Sequence, residues 1–271
     1  MSPEAVTVAV DWSGRKTGAD KVIAVAEVRG GQLTRVVDGL SREQVIADLI
    51  SLKETGVDLV VGFDFSFSLP SWFVQEQGLS SAPQLWDLAS REGERWLAEC
   101  EPPFWGRKGA RKPDHDGLRA TEHEVIDRLG IRPGSGFQTS GAGSVGAGTL
   151  RGMPFLTELR DQGFSIWPWD KAASPLVVEV WTRIAVGKTV KSRPDARLEM
   201  LTEFGSSIPD GLRQEAGRTE DRFDAVVTAL WMDSSRPELL GLPASRDPLV
   251  VSEGWTWTGH TEALPMDNLT P

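Results

Sequence analysis

Val6-Thr7-Val8-Ala9-Val10-Asp11-Trp12-Ser13-Gly14 is a run of small and β-branched residues that stops on a carboxylate and turns at a glycine. Val57-Asp58-Leu59-Val60-Val61-Gly62-Phe63-Asp64 repeats the pattern, and Leu176-Val177-Val178-Glu179-Val180-Trp181 carries a glutamate near its end. Apolar runs of this length read as central strands covered on both faces. An acid at the end of such a strand lies at the rim of the sheet, where open α/β folds place their ligands.

Between the first two acidic strands, Lys21 to Val28 alternates weakly as a strand, Gly30-Gly31 signals a hairpin, and Gln32 to Val37 is its partner. Ser41 then caps a helix in which Val45, Ile46, Leu49, Ile50 and Leu52 recur at helical spacing. A hairpin followed by a crossover helix that returns beside the first strand builds a mixed sheet, not a βαβ nucleotide-binding repeat. The expected fold class is therefore α/β: a ribonuclease-H-like mixed sheet flanked by helices.

Residues 70–160 read as a helical and irregular insertion, with helices over Gln84 to Cys100 and Leu118 to Leu129. The glycine-rich run 133–148 lacks the Gly-Lys-Ser/Thr ending of a P-loop and reads as a flexible flap before a helix from Thr149 to Arg160. Another helix is expected from Pro194 to Phe204. The late helix Thr219 to Trp231 has Phe223, Val226, Val227 and Leu230 on one apolar face. Asp221 and Asp224, three apart, share one side of its first turns. The macrodipole favours each acid there by about 0.3–1 kcal/mol. The expected organisation is one domain over 1–235, with 236–271 as an extension packed on it; Trp255 and Trp257 suggest an edge hairpin or loop.

Composition narrows the chemistry. Cys100 is the only cysteine, so neither an internal disulfide nor a cysteine zinc site can form. His115, His123 and His260 show no His-x-x-x-His spacing, so a metal site would be mainly oxygen-liganded, which favours Mg²⁺ or Mn²⁺. No apolar run approaches the roughly 20 residues that span a bilayer. Met1-Ser2-Pro3-Glu4 lacks the basic start of a signal peptide, and the expected location is cytoplasmic, without a membrane partner. The net charge of −10 opposes casual nucleic-acid binding. Two local basic runs run against it: Arg107-Lys108-Gly109-Ala110-Arg111-Lys112, beside Phe104 and Trp105, and Lys188 to Arg193 with Lys191 between. The plain reading of either is a solvated loop.

The acids can be weighed together. An aspartate after a strand often starts a turn, and one at a helix start can be a cap. Two carboxylates about 4 Å apart, however, repel by on the order of 4 kcal/mol at an effective dielectric near 20. A fold that gathers several needs a cation or shifted pKa values. The candidate metal ligands are Asp11, Asp64, Glu179, Asp221 and Asp224, with Asp11, Asp64, Glu179 and Asp224 as the catalytic set. Carboxylates on rigid elements suit a two-metal hydrolase, which holds its ions roughly 3.5–4 Å apart.

Val8-Ala9-Val10-Asp11-Trp12-Ser13-Gly14, Val61-Gly62-Phe63-Asp64-Phe65-Ser66-Phe67-Ser68-Leu69-Pro70, Val178-Glu179-Val180-Trp181 and Asp221-Arg222-Phe223-Asp224-Ala225-Val226-Val227-Thr228-Ala229 resemble successive motifs of the domain of unknown function family 429. Gly146 to Pro154 resembles its middle region. That family groups predicted nucleases of ribonuclease-H-like fold. The resemblance implies that Asp11 is the first-strand acid, Asp64 the acid ending the fourth strand, and Asp221 and Asp224 a late-helix pair like that of junction resolvases. The proline usual soon after the family's glutamate is absent here, where Thr182 follows Trp181. The implied activity is metal-dependent hydrolysis of phosphodiester bonds in nucleic acid, with Lys188 or Arg119 available to steady the phosphate. Two other readings stay open: an actin-like or sugar-kinase-related phosphoryl transferase, and a non-enzymatic binding module that uses the tryptophan-rich insertion.

Overall fold

A computed structural model of the chain describes residues 3–259, residue 142 excepted. Its strands are β1 (Ala5–Asp11), β2 (Ala24–Arg29), β3 (Gln32–Asp38), β4 (Asp58–Phe63), β5 (Ser165–Ile166) and β6 (Leu176–Glu179). Interleaved with them are α1 (Arg42–Glu54), α2 (Ser71–Glu76), α3 (Ala82–Glu99), α4 (Ala120–Leu129), α5 (Gly146–Asp161) and α6 (Thr182–Val186). The chain continues through α7 (Pro194–Glu203), α8 (Asp210–Ala216), α9 (Glu220–Ser234), α10 (Arg236–Leu240) and α11 (Pro248–Glu253).

The sheet order is β3-β2-β1-β4-β6-β5. β2 runs antiparallel to both β1 and β3, whereas β1, β4, β6 and β5 are parallel. This is the mixed α/β sheet flanked by helices that a ribonuclease-H-like fold requires. Gly30 and Gly31 both take positive φ (55° and 79°), as a two-residue turn matched to the twist of a hairpin demands.

Strand pleating divides the core in two. Val6, Val8 and Val10 of β1, with Val61 and Phe63 of β4, face α1, α3 and α5 through Val45, Leu49, Leu85, Leu150 and Leu156. Ala9, Ala24, Ala26, Val60 and Val178 point the other way, onto Phe223, Val226 and Val227 of α9. The alanines on that face let α9 lie close against β1 and β2. Gly62 continues the groove, because a Cβ there would sit 2.4 Å from the Met232 sulfur.

Two boundaries differ from the sequence reading. β2 starts at Ala24 because the segment before it folds as a turn, in which Ile23 N donates to Ala19 O (2.9 Å). α5 starts at Gly146, three residues before the expected Thr149. Of the hairpin or loop expected around Trp255 and Trp257, the described residues form the loop, in which Trp257 makes a single parallel bridge to Val180. The short elements α2, α6, α8, α10, α11 and β5 are too brief to leave a periodic signal. Residues 1–2 and 260–271, hence the start of the chain, His260 and the last third of the expected C-terminal extension, lie outside the described residues. Among the described residues no helix is long and apolar enough to cross a membrane.

Candidate active site

Pleat parity places the first two acids. Asp11 follows Ala9 by two residues and Asp64 follows Gly62 by two, so both carboxylates lie on the face covered by α9. The register Val10↔Phe63 sets them side by side at the rim of the sheet, where Asp64 N donates to Val10 O (3.1 Å). α9 supplies the rest. Thr219 caps it by accepting from Arg222 N, which fixes Asp221 and Asp224 in its first turns. Asp224 is only 4% exposed.

These acids act on one another. Burial pushes the Asp11 pKa well up, and the charges of Asp64, Asp224 and Asp221 push it further. Burial likewise raises Asp64 to about 6, against the Thr182 hydroxyl, which donates to its Oδ2 (2.8 Å). Asp224 is pushed up to about 6 by burial, although Lys191 lowers it. Asp221, half-buried, is raised by burial and then by Glu220. The Lys191 ammonium donates to Asp224 Oδ2. Burial alone would lower the pKa of Lys191, but Asp224, Asp11 and Asp64 outweigh that and raise it. Lys191 sits in the turn between α6 and α7, pinned there by Arg197, whose guanidinium donates to Lys191 O and to Gly217 O.

Glu179 departs from the expected ligand set. Phe63 pairs with both Val10 and Glu179, so Glu179 stands level with the residues that precede the aspartates, not with the aspartates themselves. Leu176, Val178 and Val180 face α9, which leaves Glu179 on the opposite face. There it is 3% exposed and fully engaged. Arg119, 2% exposed, donates Nη1 to Glu179 Oε2 (2.9 Å) and Nη2 to Oε1 (2.5 Å), and also pairs with Glu122 (2.8 Å). Phe67 N and the Thr256 hydroxyl complete the shell of Glu179 (2.7 and 2.5 Å). Arg119 is thereby committed to its partners, and its expected role in steadying phosphate is not available to it. The ion pair fastens α4 to the sheet, and Arg119 also ties it to the end of α11 by donating to Glu253 O (3.0 Å).

A cavity of about 610 Å³ opens beside both clusters. Asp64 and Glu179 border it, with Trp12, Arg15 and Trp181. The glycine-rich segment, expected as a flap, is built into its wall. Gly146 N donates to Gln138 O (2.9 Å), and a Cβ on Gly14 would lie 2.2 Å from Gly148 N. Glycine is required here for close backbone approach between the turn after β1 and the start of α5.

The donor set suits a hard cation: carboxylate oxygens only, with Asp224 Oδ1 buried and, among the described residues, unpartnered. Among the described residues, however, no three His, Cys, Asp or Glu side chains are drawn together as a ready metal cage. The Lys191 ammonium is the compensating charge instead. Sequence reasoning singled out the run around Lys191 only as a basic patch, and it missed Thr182; neither has a local signal that points to an aspartate more than 30 residues away in sequence. No protein-family model matches the chain, and no curated protein or solved structure is significantly similar to it.

Proposed function

We propose that the chain is a divalent-metal-dependent nuclease that hydrolyses phosphodiester bonds, as its resemblance to the predicted nucleases of family 429 implies. The observation that carries this reading is that Asp11, Asp64, Asp221 and Asp224 stand near one sheet rim within electrostatic reach of one another, with Asp64 bordering the cavity and Lys191 bonded to Asp224. Near neutral pH such a cluster retains excess negative charge in a poorly hydrated place, which attracts a cation.

Asp11, Asp64, Asp224 and Asp221 are the residues that would hold Mg²⁺ or Mn²⁺; Glu179 is left out of this set. When bound, such an ion supplies Lewis-acid activation of water and neutralises charge on the phosphodiester. Lys191, once released from Asp224, would be free to meet a phosphate oxygen. Half-buried Trp181 gives the cavity an apolar wall on which a base can rest.

The test is a thermal melt with Mn²⁺ or Mg²⁺ on the wild type and on Asp11→Asn, followed by cleavage assays on single-stranded, duplex and hybrid oligonucleotides. Metal at about 100 times its dissociation constant adds roughly 2.7 kcal/mol, a rise of about 5–10 °C in a domain near this size. The variant should lose both the rise and the cleavage while keeping its fold. Cleavage by Asp11→Asn at the wild-type rate, or no cleavage by the wild type with either metal, ends this reading.

A further inference from the structure

The basic run that follows Trp105 is not used by the catalytic cluster, yet the fold joins it to the cavity. Trp105 bridges Gln138, and Thr139 N donates to Trp105 O (2.8 Å). A Cβ on Gly106 would lie 2.5 Å from Ser140 O, so the two backbones touch. Thr139 and Ser140 themselves border the cavity. The loop carrying Arg107, Lys108, Arg111 and Lys112 therefore begins where the cavity wall ends.

These four cations are exposed, and among the described residues none forms an ion pair with a carboxylate. Arg107 donates to Ala98 O (2.9 Å), and Lys112 lies over the Trp105 ring at 5.7 Å. Of the neighbouring acids, Asp116 pairs with His123 (2.7 Å), and Asp114 pairs with none of the four. Other exposed cations, such as Lys21, Arg91 and Arg246, also lack an acid partner among the described residues, but they stand singly, whereas these four fall within six residues of chain. On a chain of net charge −10, an unanswered group of four is a local reversal of sign.

Aromatic rings share the patch. Half-buried Trp72 meets exposed His115 at a tilt (centroids 5.2 Å, planes 33° apart), and the two line a shallow cleft with Trp105, Lys112 and Phe137. Unanswered cations beside ring faces match a phosphodiester chain with unstacked bases, whereas a duplex hides its base faces and an acidic peptide has none.

We propose that the surface formed by Trp72, Trp105, His115, Lys108, Arg111 and Lys112 is the path of a single-stranded nucleic acid leading to the cavity. This deepens the nuclease reading and rests on it for the purpose of the path, though not for binding itself. A strand lying there places phosphates on Lys108, Arg111 and Lys112 and a base against Trp72 or His115, and it enters the cavity over Thr139 and Ser140.

The experiment is fluorescence anisotropy in EDTA, where no cleavage occurs, with labelled oligo-dT and oligo-U of about 12 nucleotides, a duplex of the same length, and polyglutamate as competitor. The wild type should bind a single strand more tightly than the duplex, and the oligo-dT and oligo-U arms show whether DNA or RNA is preferred. The triple variant Lys108→Ala/Arg111→Ala/Lys112→Ala should weaken strand binding by about tenfold or more at low salt and reduce the salt slope by about 2, at about 0.7 per lost phosphate contact. A control triple, Lys21→Ala/Arg91→Ala/Arg246→Ala, removes equal charge from exposed positions elsewhere and should leave both unchanged.

No wild-type binding, equal loss in the control, equal affinity for the duplex, or displacement by polyglutamate at matched charge each overturns the proposal. Strand binding that depends on the patch, without cleavage in Mn²⁺, would remove the nuclease reading and keep the surface. Cleavage whose KM ignores the triple variant would remove the surface and keep the nuclease.

Discussion

Two groups of buried acids lie within one cavity's width of each other, and they have opposite characters. Around Arg119, the carboxylates of Glu179 and Glu122 meet a guanidinium, backbone N–H groups and a hydroxyl, so their oxygens are answered. Around Lys191, the aspartates outnumber the cation, and among the described residues Asp224 Oδ1 is left without a partner. A satisfied cluster holds chain segments together. An unsatisfied one is a standing cost in stability that a cation can relieve. The difference separates a clasp from a candidate reaction centre, although both began in the sequence as acids near strand ends.

The sharpest way to break this contrast is Arg119→Met. It leaves Glu179 and Glu122 buried without their cation, and breaking such a pair costs about 3–5 kcal/mol. At about 2–4 °C per kcal/mol the melting temperature should fall by about 10 °C, with or without Mn²⁺. A melting temperature within about 2 °C of the wild type would mean that the pair is not the clasp described.

Lys191→Met probes the other cluster and should cost less. Asp224 already has a pKa of about 6, so near pH 7 it can take up a proton in place of its lost partner. That bounds the loss at about 1–2 kcal/mol, from roughly 1.4 kcal/mol per pKa unit. Mn²⁺ should then stabilise the variant more than the wild type, because no ammonium competes for the carboxylates. Equal metal-induced shifts in the two proteins would separate Lys191 from the metal-binding site.

The sequence shows why only part of this contrast was legible. The strands, their acidic ends and the late helix with Asp221 and Asp224 follow from apolar runs, caps and periodicity. Asp11 and Asp64 share a face because each stands two residues beyond a small residue packed under α9, a parity carried within each strand. Glu179 has no such internal marker. β6 is buried on both faces, so Val177 and Val178 look alike and the side on which the glutamate falls depends on register with β4. Arg119 and Lys191 reach their partners across 60 and 33 residues of chain, in irregular segments where no periodicity reports a contact. Close backbone approach at Gly14 is equally silent in sequence, since a glycine that permits contact reads the same as one that permits freedom.

The smallest expected effect has the most diagnostic sign. Asp64 has a folded pKa of about 6 against an ordinary value of 3.8, so the native state binds its proton more tightly than the unfolded chain. Without metal, its contribution to stability is therefore fully present below about pH 4, declines as pH rises through about 6, and is absent above that. Asp64→Asn cannot titrate and keeps an acceptor for Thr182. Its stability should change less steeply between pH 4 and 6, and at pH 7 its melting temperature should exceed that of the wild type. Thermal melts in EDTA across that range check both features. Adding Mn²⁺ at pH 7 should invert the order, because the wild type gains a ligand that the amide holds poorly. A steeper pH dependence in Asp64→Asn, or a lower melting temperature than the wild type in EDTA at pH 7, would place Asp64 among the satisfied acids, with Glu179.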